Sequence, residues 1–128
     1  MLARHPTATT TWYNLGLLEL QSGQRAAAAD AFRRAVDLEP SYGEAWQALG
    51  AASIDTDGAA AIDAWKHAER LQPGDYDLLF NLGMVLAGTR QPSDALPYLS
   101  RFIREAPRDR YARDVPRVEA TIARIRGK

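Results

Sequence analysis

The sequence predicts an all-α fold, a short stack of helical hairpins, on three observations. A pattern recurs along the chain. Trp12, Leu15 and Gly16 return as Trp46, Leu49 and Gly50, and again as Leu79, Leu82 and Gly83. A companion pattern follows each. Ala28, Phe32, Ala35, Leu38 and Pro40 become Ala61, Trp65, Ala68, Leu71 and Pro73, then Ala95, Leu99, Phe102, Glu105 and Pro107. The spacing is 34, 33 and 34 residues, so the shortened middle unit loses its residue in the turn between Gly50 and Ala61. The third observation is the phase of the glycines. Glycine inside a helix costs about 1 kcal/mol against alanine. Gly16, Gly50 and Gly83 each sit beside a large apolar residue, where a close neighbouring helix would justify that cost. Ala28, Ala61 and Ala95 are small at the matching place on the second helix, with Trp12, Trp46, Leu79, Phe32, Trp65 and Leu99 around the contact.

The elements follow in order. Residues 1–8 sit where a preceding unit would finish, because Pro6 precedes Trp12 as Pro40 precedes Trp46. They are expected to be extended or disordered, either the end of a truncated unit preceded by more repeats or a different domain, or a natural start that keeps the remnant of an older repeat. The first helix is expected over about Thr9 to Gln21, with threonine hydroxyls at its cap and Ser22-Gly23 at its end. The second runs from about Arg25 to Leu38 and stops at Pro40. Ser41 is placed to cap a third helix from Gly43 to about Ile54. Asp57-Gly58 marks a turn, and a fourth helix spans about Ala59 to Leu71. Pro73-Gly74-Asp75 opens a fifth helix over Tyr76 to Ala87, which Gly88 stops. The sixth begins near Pro92, is bent at Pro97 and ends near Glu105. Val115, Val118, Ile122 and Ile125 are spaced 3, 4 and 3, one helical stripe. Asp114 is placed to cap that helix and Pro116 falls in its first turn. Tyr111 is expected in a separate turn. Such a segment, apolar on one side and arginine-rich on the other, describes a lid over the third unit.

These residues resemble the tetratricopeptide repeat family. Its pattern W-x2-L-G-x2-Y…A-x3-F…P is met by Trp12, Leu15, Gly16, Ala28, Phe32 and Pro40, and by Trp46, Leu49, Gly50, Trp65 and Pro73. The expected tyrosine is Glu19, Ser53 or Leu86, and Phe102 stands where a small residue is usual. The resemblance implies a right-handed α-solenoid of three hairpins plus a C-terminal capping helix. The hairpins would be residues 9–42, 43–75 and 76–109, with the cap at 110–128. A lone hairpin buries too little to stay folded, and stacked units share faces.

With 128 residues the chain suits one domain. Apolar residues make up 46% of it and cysteine is absent, so disulfides and thiolate metal sites are excluded. No apolar run approaches a membrane span, and the first residues lack a signal core; a cytoplasmic location is the default. Net charge is zero but uneven: residues 1–100 carry 7 basic and 12 acidic side chains, residues 101–128 carry 9 and 4. Acids interleave with those arginines, so a solvated terminal helix is favoured over nucleic-acid binding.

Catalysis is not expected. His5 and His67 lack partners at metal-ligand spacing. Asp55-Thr56-Asp57-Gly58 lacks the later ligands of a calcium loop, and no phosphate-cradling or nucleophile motif occurs. No cofactor or metal is expected. The resemblance instead implies a peptide-binding groove lined by first helices: Tyr13, Leu17 and Leu20; Gln47, Ala51 and Ile54; Phe80 and Met84. Asn14, Glu44, Asp77 and Asn81 stand at its edges. Some relatives grip a terminal carboxylate with basic groove residues. The corresponding places here hold Tyr13, Leu17, Ala48, Asp77 and Asn81, so that clamp is not built. An apolar groove with acidic edges suits an amphipathic or basic peptide. The expected function is a non-catalytic protein-interaction scaffold. The alternative is a structural appendage, or an oligomerisation module pairing copies through an uncapped N-terminal face, on a larger and even enzymatic polypeptide.

Overall fold

The computed structural model describes residues 6–127, with seven α-helices and no strand among them. They fall into two compact units, divided between Gln72 and Pro73.

The first unit holds α1 (Pro6–Gln21), α2 (Arg25–Leu38), α3 (Gly43–Ser53) and α4 (Gly58–Leu71). Helix α1 starts three residues before the expected Thr9. Proline is suited to a first helical turn, because its missing N–H has no intrahelical partner there. The expected extended stretch therefore fails at residues 6–8, while residues 1–5 lie outside the described ones. Thr9, Thr10 and Thr11 are helical rather than capping, and Thr9 is buried. Gly23 adopts φ +80°, the left-handed conformation that closes the hairpin. Helix α2 matches its expected bounds. Ser41 does not cap α3: the helix opens from Tyr42 without a side-chain cap. The link is held instead by the Trp46 indole, whose Nε1 donates to the Pro40 carbonyl at 2.8 Å. Asp57 does more than turn the chain. The Ala60 N–H donates to its Oδ1 at 3.0 Å, capping α4.

Each hairpin is closed by a large side chain lying over a helical glycine. In the first, a Cβ on Gly16 would fall 2.5 Å from the Phe32 ring, and Phe32 is fully buried. In the second, a Cβ on Gly50 would fall 2.2 Å from Trp65. The Trp65 indole lies so close to α3 that its Nε1 donates to the Gln47 carbonyl at 3.0 Å. The glycines thus face the large partners rather than the alanines. The missing Cβ opens a recess for a ring. Trp12 and Trp46 do not fill these contacts. They are half-buried at the rim, with the Arg34 guanidinium 4.9 Å over Trp12 and His67 stacked 4.2 Å from Trp46. Ala28, Phe32, Ala35, Val36, Ala45, Leu49, Ala52 and Ala64 form the continuous core.

The second unit holds α5 (Tyr76–Ala87), a 3₁₀ turn (Pro92–Ala95), α6 (Leu96–Glu105) and α7 (Asp114–Ile125). The Leu78 N–H donates to Asp75 Oδ1 at 3.0 Å, so Asp75 caps α5. A Cβ on Gly83 would fall 2.4 Å from Leu99 Cδ2, the third instance of the recess. Pro97 lies in the first turn of α6 and does not bend a helix interior, because the preceding turn is 3₁₀. Phe102 is fully buried, its ring centroid 5.7 Å from Phe80 and 5.2 Å from Tyr111. Asp114 is the first residue of α7 and makes no cap bond. The Tyr111 carbonyl accepts from the Asp114 and Val115 N–H groups and leads the chain in. Val115 and Val118 are buried, while Ile122 and Ile125 are half-buried. Helix α7 packs on α5 and α6.

Tyr111 supplies a pH test of this packing. It is only 6% exposed, and its hydroxyl donates to Asp77 Oδ1 at 2.8 Å. Burial, the bond to Asp77 and the Asp77 charge push its pKa up to about 12 from the ordinary 10.0. The neutral phenol is therefore favoured in the folded chain. Its contribution is complete below pH 10, the unfolded value, and is lost as pH rises through about 12. Stability measured by urea unfolding should fall over that window, and Tyr111→Phe should remove that part of the slope. An unchanged slope in the variant would contradict this assignment.

Candidate functional site

In the first unit, helical spacing sets Tyr13, Leu17 and Leu20 along one face of α1. All three are half-buried, with their inner sides on the core, and Asn14 beside them is exposed. Tyr13 is 5.8 Å from Phe32 and 5.1 Å from Tyr42 between ring centroids. Burial, then the Glu44 carboxylate, pushes the Tyr13 pKa up. The Tyr42 pKa is also raised, first by burial and then by Tyr13, Glu44 and Glu39. Both phenols stay neutral and available as hydrogen-bond partners. On α3, Glu44 is exposed, and Gln47 and Ala51 are half-buried. Half-buried Ile54 follows as the residue that ends the helix. The Ala51 carbonyl accepts from Arg25 Nη1 at 3.3 Å, and Arg25 also meets Asp55 at 3.6 Å. Helices α1 and α3 are neighbours, and Tyr13 meets Tyr42 just ahead of α3.

In the second unit, Phe80 and Met84 are half-buried on α5, and Asp77 and Asn81 are exposed. Asp77 is engaged. Besides the Tyr111 hydroxyl, it meets Arg110 Nη2 at 3.7 Å. Phe80 carries the Arg117 guanidinium 5.7 Å above its ring. The sequence reading missed this neighbour, because Phe80 and Arg117 are far apart in the chain. A usable signal existed in the spacing of Arg113, Arg117 and Arg124, which share one flank of α7.

The sequence reading also missed a cleft of about 240 Å³ in the first unit, floored by Val36, Trp46, Leu49 and Ala64. Arg33, Asp37 and Asp63 line it as well. His67 has a structural task here, stacked on Trp46 with its Nδ1 2.9 Å from the Asp63 carbonyl. Among the described residues, no group of three or more His, Cys, Asp or Glu could hold a metal ion. No helix among them is long and apolar enough to cross a membrane.

Comparison with known proteins decides the family. Two tetratricopeptide repeat models match, one over residues 2–52 and the other over residues 55–110. The chain belongs to the tetratricopeptide repeat family. Among curated relatives, this repeat protein is 29% identical to Superkiller protein 3 of Saccharomyces cerevisiae. The match covers 77% of the chain and 7% of that relative. It thus spans under a tenth of the relative's length. Among solved structures, it is similar to the Yersinia enterocolitica type III secretion chaperone SycD, in complex with a peptide of the translocator YopD. That match has a TM-score of 0.78 and 17% identity over 95% of both chains. It is also similar to the first repeat domain of Spaghetti (RPAP3), bound to an HSP90 peptide. There the TM-score is 0.77, with 13% identity over 96% of this chain and 99% of that one. These likenesses confirm the all-α helical repeat fold.

Proposed function

We propose that this repeat protein is a non-catalytic interaction scaffold that binds a peptide or protein segment along its first helices. The row Tyr13, Leu17 and Leu20 carries the reading. These side chains are anchored on the core yet keep part of their apolar surface open. Anchored side chains lose little further freedom on binding, and this lowers the cost of association. Half-open apolar rows of this kind accept the apolar face of an amphipathic segment. The peptides bound to SycD and to the RPAP3 domain lend the reading support by analogy of fold.

The test is a random peptide display selection against the protein, followed by backbone amide mapping with a selected peptide. Shifts should cluster on α1 and α3, or on α5. Leu17→Asp, at a half-buried position, should weaken binding by those α1-directed peptides by about ten-fold or more while leaving the helical spectrum intact. Selection of no binding peptide, or shifts confined to α2 and α4, would overturn the proposal.

A further inference from the structure

The second unit contains an arginine flank beside the α5 face, and it bears on the kind of segment that face accepts. Arg113, immediately before α7, has helical backbone angles and continues the helix N-terminally. With Arg117 and Arg124 it forms the spacing i, i+4, i+11, which keeps the three within about 40° around the helix and about 16 Å along it. All three are exposed. None has an ion-pair partner among the described residues. The acids of α7 do not share this flank: Glu119 is on the far side, and half-buried Asp114 lies toward the core.

The flank borders α5. Asp77 meets Arg110 and Tyr111, and Phe80 meets Arg117. The contact to Asp77 comes from the turn just ahead of α7 and the contact to Phe80 from within α7, so the chain enters α7 at the Asp77 end of α5 and advances toward Phe80. Continuing along that direction sets Met84 beyond Phe80 on one helix and Arg124 beyond Arg117 on the other. Asp77 adds little negative field here, since Arg110 and the Tyr111 hydroxyl already engage it. Arg117 therefore lies over one end of the apolar pair Phe80 and Met84, and Arg113 and Arg124 share its flank.

We propose that this face of the second unit binds an acidic amphipathic peptide, with apolar side chains on Phe80 and Met84 and carboxylates on Arg113, Arg117 and Arg124. The proposal rests on the peptide-binding reading and gives its α5 face a charge preference, opposite to the basic preference the sequence alone suggested. Arg117 is suited to both tasks at once. A guanidinium stacks its face on an aromatic ring while its edge stays free to donate a bidentate pair to a carboxylate. Nucleic acid is less well matched, because the exposed small residues Pro116 and Ala120 adjoin the flank and favour a close-packed polypeptide.

The probe is a short peptide, blocked at both ends, with glutamates at one-turn spacing and leucines on the adjoining face. Analogues replace every glutamate by glutamine or by lysine. Fluorescence anisotropy should show the glutamate peptide binding at least ten-fold more tightly than either analogue, with the preference weakened by salt. Arg117→Gln should reduce that binding by roughly ten-fold. Arg117→Lys should restore part of it, since charge returns without the bidentate edge. Arg104→Gln, an exposed arginine of α6 outside this flank, should leave it unchanged. Tighter binding of the lysine peptide would overturn the charge preference and leave peptide binding by α5 standing. Equal binding of all three, or of none, would overturn it as well, the latter removing α5 as a peptide site. Arginine-dependent binding of generic duplex DNA more tightly than the glutamate peptide would also overturn it, in favour of a polyanion surface.

Discussion

Phe32→Ala is expected to remove about 3–5 kcal/mol of stability, the usual cost of truncating a fully buried phenylalanine. Phe32 is the plug of the first hairpin. Its ring fills the recess over Gly16, and it touches Tyr13 on the outer side. Neither helix can move in to fill the void, because α2 is also fixed to α3 through the common core. Single domains are stable by only about 5–15 kcal/mol, so this loss is a large share of the total. Trp12, Trp46 and Trp65 all belong to the first unit, so tryptophan fluorescence follows that unit alone. Urea unfolding by this signal should show a much lower midpoint. A loss below about 1 kcal/mol would mean that the ring is not seated in the recess.

Gly50→Ala should destabilise, against the rule for helices. Alanine is favoured over glycine by about 1 kcal/mol in an unhindered helix. Here the added methyl would meet Trp65 Nε1 at 2.2 Å, and the indole is held by its bond to the Gln47 carbonyl. Overpacking of this kind costs about 1–3 kcal/mol. Relieving the clash also stretches or breaks the indole hydrogen bond. The control is Gly58→Ala, at the start of α4, where nothing lies within 4 Å of an added Cβ. That change should be neutral or stabilising by up to about 1 kcal/mol. Thermal unfolding would rank the three proteins with Gly58→Ala at or above the parent and Gly50→Ala below it. The opposite order would show that the glycine is not required by the ring.

The hairpins were legible in the sequence because their packing repeats. A side chain that must meet the same partner in every unit leaves a period, and Gly16, Gly50 and Gly83 show it. The partner on the other helix was harder to name. Alanine and phenylalanine both recur in phase, and only the built backbone shows that Phe32, Trp65 and Leu99 face the glycines. Helix bounds were legible where one residue compels the stop, as at Gly23 with its φ of +80°. Caps were less so. Ser41 and Asp114 are good capping residues by type, but a cap also requires the helix to start at the right residue, and here α3 and α7 open at positions that leave both without the bond. That Tyr13, Leu17 and Leu20 share one face follows from helical spacing alone; their half-burial does not. The engagement of Asp77 and the cover over Phe80 do not, because both depend on where α7 is set down beside α5.

The notch above each helical glycine receives a benzyl group in one hairpin, an indole in the next and an isobutyl group in the third. The receptacle is constant while its occupant varies in size and polarity. Copies of such a hairpin can therefore diverge in sequence after duplication, each refitting its own insert, without renegotiating how its two rods are spaced.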